Sequence, residues 1–409
     1  MQLHAQQTLQ ISRKQAESLF LQNNFQLIAE KLQIESQKAD VIQAKLWPNP
    51  EFAISEVNLW KNSTVEPSPA FFGNFGRNQQ IAFELNQLIQ TAGKRKKLVA
   101  LEQVDLHKAE QYFEDLLRVL KLELRNQLTE LQYVQQSINV HQKLNENMAT
   151  LTEAYQNQQD KGNISKAGFI RLKAQELEIN KEILELTHRS NAIQKELKAL
   201  LRIPPEVFLE ITDEGFVKNL EPYQTLFAEQ IIEKAKENRP DYRIAQLEED
   251  YSNKLLVYEQ AQRAPDLNLG VNYDRNGSTM RNFVGVGVSF DLPLFNRNQG
   301  SIKKARIGIE NAKIQKEQTL HTIENEVFLS YKSLLQAIDF LHKIDPEYET
   351  DLDMLLENYT ENFVSRNVGM LEYFDFMDAY LNNKNILLEA QKDVNQKAEE
   401  LHYTLGKDL

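Results

Sequence analysis

The stretch that decides the fold runs Asp266-Leu267-Asn268-Leu269-Gly270-Val271-Asn272-Tyr273-Asp274, then Asn276-Gly277, then Val284-Gly285-Val286-Gly287-Val288-Ser289-Phe290-Asp291-Leu292. Side chains of an extended chain point to alternate faces. Leu267, Leu269, Val271 and Tyr273 therefore share one face, opposite Asn268, Gly270, Asn272 and Asp274. On the return run Val284, Val286, Val288, Phe290 and Leu292 oppose Gly285, Gly287, Ser289 and Asp291. Asn-Gly between two alternating runs is a strong hairpin signal. Strands of about 9–11 residues, apolar on one side and polar or tiny on the other, are what a transmembrane barrel requires. A half-covered sheet in a soluble protein shows the same alternation, so the rest of the chain must choose between them.

The chain repeats itself. Pro50-Glu51-Phe52-Ala53-Ile54 corresponds to Pro265-Asp266-Leu267-Asn268-Leu269, and Phe83-Glu84-Leu85 with Gly93 and Lys96-Lys97 to Phe290-Asp291-Leu292 with Gly300 and Lys303-Lys304. Tyr155 and Lys161-Gly162-Asn163-Ile164 correspond to Tyr359 and Ser365-Arg366-Asn367-Val368. Each half reads as helix, β-hairpin, very long helix, turn, helix. The first repeat spans 1–202, with strands at about 51–60 and 78–88 and rods at about 94–160 and 169–201. A linker or equatorial element follows at 203–227. The second repeat spans 228–409, with strands at about 266–275 and 282–292 and rods at about 301–363 and 373–405. In the first hairpin Ile81, Phe83 and Leu85 keep the apolar face. Its leading strand is less regular, because Glu56 and Asn58 fall on apolar positions; a bulge near Ser55 restores Val57 and Leu59. Trp47 and Trp60 bracket that strand at a spacing suited to two membrane interfaces. The loop Lys61 to Gly76 is the longer connection, which barrels carry on the exterior side, so the helices face the periplasm.

The long helices carry their own signal. No Gly or Pro falls between Gly93 and Gly162, and a seam runs from Phe113 through Leu117, Leu120, Leu124, Leu128 and Leu131 to Met148, Leu151 and Tyr155. Its positions recur about every 3.5 residues, the coiled-coil period. A rod of about 65 residues at about 1.5 Å each reaches about 100 Å. Pro346 predicts a kink in the second rod. His141 lies in the seam and reads as a core residue.

Composition narrows the function. With no cysteine among 409 residues, disulfides and thiolate metal sites are excluded, and a net charge of −12 argues against nucleic acid. No stretch approaches the ~18 apolar residues of a spanning helix. Met1-Gln2-Leu3-His4-Ala5-Gln6 lacks a signal-peptide pattern, so the protein is either cytosolic or has had its signal peptide removed; the hairpins favour the second. No HExxH, Gly-rich phosphate loop or Ser/His/Asp cluster is present, and neither an enzyme, a cofactor nor a bound metal is expected. Open sheet edges are not tolerated in lipid, so four strands per chain must be completed by other copies. Two copies would give a filled barrel and three a passage.

These features resemble the TolC-like outer-membrane efflux protein family. The likeness is carried by Asn238-Arg239-Pro240-Asp241-Tyr242, Trp47-Pro48-Asn49-Pro50, Phe290-Asp291-Leu292-Pro293-Leu294-Phe295 with Gly300, and the turns at Gly162 and Arg366. The resemblance implies a mainly α protein with a transmembrane β-barrel contribution: a homotrimer whose twelve-stranded barrel continues into an α-helical periplasmic tunnel. It implies an exit duct for small solutes in a tripartite system, with a periplasmic adaptor, a proton-driven inner-membrane pump and outer-membrane lipid as partners. Within the family the chain looks most like the cobalt–zinc–cadmium efflux branch. A type I protein-secretion duct and a soluble periplasmic coiled-coil scaffold are the alternatives. The family closes its tunnel with acidic residues near the second turn. Here Glu372, Asp375 and Asp378 are the candidates: aligning Arg366 with the family's turn glycine selects Glu372 and Asp375, and aligning Gly369 selects Asp375 and Asp378. The basic runs Lys94-Arg95-Lys96-Lys97 and Lys303-Lys304-Arg306 are expected to meet anionic lipid headgroups.

Overall fold

The computed structural model describes residues 7–57, 80–161, 164–212, 216, 220–276, 280–345 and 347–409. Trp60, Leu59, the loop 61–76, Gly162, Gly277 and Pro346 lie outside them. The elements in chain order are β1 (Thr8–Ile11), α1 (Arg13–Asn23), α2 (Phe25–Lys45), β2 (Glu51–Ser55), β3 (Ile81–Ile89), α3 (Lys94–Asp160), α4 (Lys166–Leu201) and β4 (Phe208–Ile211). They continue as α5 (Glu221–Gln224), α6 (Ala228–Asn238), α7 (Pro240–Ala261), β5 (Leu267–Arg275), β6 (Asn282–Ser289), α8 (Gln299–Leu341), α9 (Tyr348–Val364) and α10 (Met370–Leu405). The chain is mainly helical. No described helix is long and apolar enough to cross a membrane.

Two compact units form, and each draws on both halves of the sequence. The helical unit comprises 1–31, 112–242 and 319–409; the sheet unit comprises 32–111 and 243–318.

In the helical unit the predicted seam is buried: Leu124, Leu128, Leu131, Val134, Leu144 and Met148 are fully enclosed. Each such side chain contributes roughly 1.5–3 kcal/mol by leaving water. Leu120 to Val134 of α3 pack with Leu197 and Leu201 of α4 and with Phe20 of α1. A second cluster joins Ile323, Val327 and Leu334 of α8 to Leu401 and Leu405 of α10. A third joins Leu144 and Met148 of α3 to Leu172 of α4, Leu356 of α9, and Tyr373 and Met377 of α10. β1 and β4 pair in parallel from Thr8↔Phe208 to Ile11↔Ile211. His141 is buried and its Nδ1 lies 2.8 Å from the Ser137 carbonyl. That contact satisfies a core residue one helical turn away.

Carboxylates stitch this unit together. Asp408 meets Arg125 at 2.8 Å and Lys121 at 2.6 Å. Hydrogen bonds from Arg125 hold its carboxyl well below the usual range, against a weaker upward push from burial. Burial alone would raise Asp241, but Arg239 and then Arg118 outweigh it and lower it. A carboxylate depressed by folding contributes stability that is present above its unfolded value and lost as pH falls through the folded one. Thermal stability is therefore expected to hold from about pH 7 to about pH 5 and to fall below about pH 4. A calorimetric midpoint that stayed level down to about pH 2.5 would show these pairs contribute little.

The sheet unit holds four strands in the order β2-β3-β5-β6, all antiparallel. β3 and β5 come from different halves of the chain and pair over nine residues, Ile81↔Arg275 to Ile89↔Leu267. β2 and β6 are the two edges. The pairing of β2 runs without a bulge from Glu51↔Asn86 to Ser55↔Ala82. Immediately after it Glu56 takes φ 55, a left-handed conformation. β6 ends at Ser289, so Phe290 and Leu292 lie beyond the strand. The second rod is two helices, α8 and α9, with the chain leaving the helix at Leu341 and re-entering at Tyr348.

Candidate functional site

Two surfaces carry the functional reading, the two-faced sheet and the turn between α9 and α10. The sheet register sorts the side chains into two faces, with Gln87, Arg275 and Asn282 as polar members of the apolar one. Ile81, Phe83 and Leu85 of β3 lie beside Leu267, Leu269, Val271 and Tyr273 of β5 and Val284, Val286 and Val288 of β6 on a single face. Phe52 and Ile54 of β2 join them, through Phe52↔Leu85 and Ile54↔Phe83. These two were legible in the alternation of Glu51 to Ser55, but the irregular Glu56 obscured it. Phe83 stacks with Phe52 at 6.1 Å and with Tyr273 at 6.3 Å, tying three strands together by their rings. The face is open: Val286 is 84 % exposed and Val284 68 %. One apolar surface of this extent, left bare across four strands, marks a site that meets lipid or another protein.

The opposite face carries Glu84, Asn86, Asn268, Asn272 and Asp274, with Leu88 and Phe283 as its apolar exceptions. Its glycines make room for amides. A Cβ on Gly270 would come within 2.6 Å of Asn86 Oδ1, its cross-strand partner. One on Gly285 would collide with Oδ1 of its partner Asn272. Each asparagine thus lies over the glycine opposite it.

At the α9–α10 turn, α9 closes with the hydrogen bonds of a Schellman motif: Asn367 N–H to the Asn362 carbonyl at 2.8 Å and Arg366 N–H to the Phe363 carbonyl at 3.1 Å. The left-handed position is Arg366 (φ 62), while Gly369 has φ −78 and serves as the N-cap of α10. An L-residue pays for that conformation where glycine does not. Arg366→Gly is expected to stabilise the turn by ~0.5–1 kcal/mol, read as a rise in thermal midpoint; an unchanged or lower midpoint would refute it.

Inside the hairpin Phe363 stacks on Tyr373 at 4.6 Å and on Tyr155 at 5.6 Å, and Tyr359 stacks on Phe376 at 4.1 Å. Buried Lys384 reaches Asp353 at 2.9 Å and Glu349 at 3.2 Å. This packing turns Tyr373, Met377 and Tyr380 inward and leaves Glu372, Asp375 and Asp378 exposed on the other side of α10. Glu372 lies in the first turn, where it complements the helix dipole; Asp375 and Asp378 lie beyond the reach of that effect. Burial, then the charges of Glu178 and Asp375, push the Asp378 carboxyl up. Glu178 of α4 belongs to this acidic group and was not legible from spacing, because it comes from the other repeat.

The remaining candidates sit at the end of the sheet where the helices begin. Trp47 is exposed, with the Arg95 guanidinium 3.9 Å above its ring. Lys94 is not a lipid contact: it is buried and paired with Asp266 at 2.8 Å, fixing the start of α3 to the entry of β5. Lys303, Lys304 and Arg306 are exposed on α8. Among the described residues no group of three or more His, Cys, Asp or Glu could hold a metal.

A sheet with one bare apolar face and one polar face, together with long paired helices, defines the class. The fold is that of the TolC-like channel structures. Residues 231–345 match the family described as "Outer membrane efflux protein". The cobalt-zinc-cadmium resistance protein CzcC of Cupriavidus metallidurans is 21 % identical over 366 residues, which cover 88 % of this chain and 81 % of CzcC. The crystal structure of CusC superposes with a TM-score of 0.75 at 16 % identity, covering all of this chain and 95 % of CusC. The Campylobacter jejuni CmeC outer membrane channel gives 0.74 at 13 % identity, covering 99 % of this chain and 90 % of CmeC.

Proposed function

We propose that the chain is one third of an exit duct, a homotrimer whose twelve strands close a barrel in the bacterial outer membrane with the helices in the periplasm. The observation that carries this is the four-strand sheet, mainly apolar on one face and polar on the other, with edges β2 and β6 both unpaired among the described residues. In lipid an unpaired edge leaves backbone groups without partners, so neighbouring copies must supply them. Three copies set Asn86, Asn268, Asn272 and Glu84 around a water-filled passage. The internal duplication of 1–202 and 228–409 about the 203–227 element supplies two hairpins from each chain.

The duct works with a periplasmic adaptor and a proton-driven inner-membrane pump, which do the selecting. The likeness to CzcC supports heavy-metal cations as cargo; the acidic α10 face suits cations as well. A type I protein-secretion duct is the alternative reading, and no described feature favours it. Mass determination in detergent together with conductance in a planar bilayer tests the proposal. A trimer with discrete conductance steps is expected, and a non-conducting monomer would overturn it.

The exposed carboxylates at the start of α10 form the gate, three copies making rings about the axis. That the left-handed turn position is Arg366 supports Glu372 and Asp375 as the paired ring, with Asp378 and Glu178 behind them. Glu372→Ala with Asp375→Ala is expected to raise single-channel conductance severalfold or weaken block by divalent cations, since each ring loses three charges that divalent ions hold. Unchanged conductance and block would remove these residues from the gate.

A further inference from the structure

In an acidic chain of net charge −12, Lys94 of the sheet unit has Asp266 as its partner and Lys108 has Asp105 and Glu248. A group of exposed cations contrasts with these. Arg263, Arg297, Lys303 and Arg306 line a single cavity of about 700 Å³ in which no lining residue is acidic. None of the four pairs with a carboxylate among the described residues. Arg297 spends one donor, Nε, on the Leu294 carbonyl at 3.3 Å. Arg263 and Arg297 also border a second cavity of about 610 Å³ with Lys97, and Arg263 borders a third that Asp266 and Asp291 line as well. Four like charges around a cavity with no acidic lining repel one another unless an anion or bulk solvent screens them.

The apolar neighbours argue against bulk solvent alone. Phe295 is 92 % exposed, Leu292 69 % and Leu294 61 %, on the segment that carries β6 into α8. They continue the bare apolar face past the last strand residue. The other hairpin leaves the sheet at the same end, since Ile89 pairs with Leu267. There Leu46 and Trp47 are exposed beside Arg95. Exposed aromatics next to unpaired guanidinium and ammonium groups, at the rim of an apolar face, are the pattern of a lipid headgroup boundary.

We infer that Arg263, Arg297, Lys303 and Arg306 form a binding site for an anionic phospholipid of the inner leaflet, with its phosphate among the guanidinium groups and Phe295 inserted between its acyl chains. This rests on the exit-duct reading, which places that end of the sheet at the periplasmic membrane boundary. It corrects the expectation from the basic runs, because Lys94 is taken by Asp266, whereas Arg263 and Arg297 lie outside either run.

The test uses the full-length protein in detergent, titrated with phosphatidylglycerol or phosphatidylcholine and read by native mass spectrometry, beside bilayer conductance. Phosphatidylglycerol is expected to bind preferentially, and Arg263→Gln with Arg297→Gln and Arg306→Gln to weaken it by about fivefold per charge, on the order of a hundredfold together. A control removing three exposed charges elsewhere, Lys181→Gln, Lys195→Gln and Lys343→Gln, should leave it unchanged. Phe295→Ser should weaken both lipids alike. A conducting protein that binds the two lipids equally, or a triple variant that binds like the parent, overturns the site and leaves the duct standing. Loss of the trimer in the triple variant without any change in lipid preference assigns the patch to a neighbouring copy and likewise overturns it. A protein that forms no conducting pores overturns the duct and this site with it.

Discussion

Arg239→Ala is expected to lower the stability of the helical unit by about 3–5 kcal/mol, a loss large enough to unfold a marginal domain. The side chain is 3 % exposed and bonds Asp241 at 2.5 and 3.0 Å, Glu326 at 2.6 Å and the Thr404 carbonyl at 3.4 Å. One guanidinium thereby ties the start of α7 to α8 and to the last turn of α10. Removing it leaves a cavity where the guanidinium was, frees the Thr404 carbonyl and Glu326, and leaves Asp241 with Arg118 at 3.7 Å. Close by, Gly406 (φ 76) ends α10 against Asn238, where a Cβ would meet backbone atoms at 2.9 Å. Arg239→Lys should recover only part of the loss, since one ammonium cannot reproduce the forked geometry. Denaturant melts of the three proteins check this. A cost below about 1 kcal/mol for the alanine variant would mean the cluster is no better than a surface pair.

This cluster also shows what a sequence can disclose. Asn238-Arg239-Pro240-Asp241-Tyr242 is conspicuous as a string, yet nothing in it names Glu326 or Thr404, which arrive from more than eighty residues away. The rods were legible because a seam recurring about every 3.5 residues is a local property of the chain. The hairpins were legible for the same reason, through alternation. Ends of elements were not: β6 stops at Ser289 although Phe290 and Leu292 extend its pattern, because its partner β5 begins at Leu267 and the ladder's last pair is Asn268↔Ser289. The fate of the basic runs was equally hidden. The runs Lys94-Arg95-Lys96-Lys97 and Lys303-Lys304-Arg306 look alike as strings, and only the fold puts Asp266 against Lys94 and leaves Lys303 exposed.

Val286→Arg is expected to abolish assembly in the membrane while leaving the helical unit folded. Val286 is the most open residue of the apolar face and pairs with Val271, itself paired with Leu85, so this row crosses the middle of the sheet. A charge at the midplane of a lipid-facing barrel wall costs ~2–4 kcal/mol. A trimer carries the substitution three times, so the assembled barrel would lose on the order of 6–12 kcal/mol. The neighbouring residue supplies the control. Gly287 points to the other face, and a Cβ added there meets nothing within 4 Å. Gly287→Arg therefore adds the same charge, one residue away, on the side proposed to be wet. Outer-membrane fractionation and heat-stable trimer on a gel should separate the two, with Val286→Arg lost and Gly287→Arg retained. Equal loss would mean that lipid does not distinguish the faces, and the sheet would then have to be read as buried in protein on both sides. Equal retention would mean that the apolar face never meets hydrocarbon. Only an unequal result is compatible with a wall that has lipid behind Val286 and water in front of Gly287.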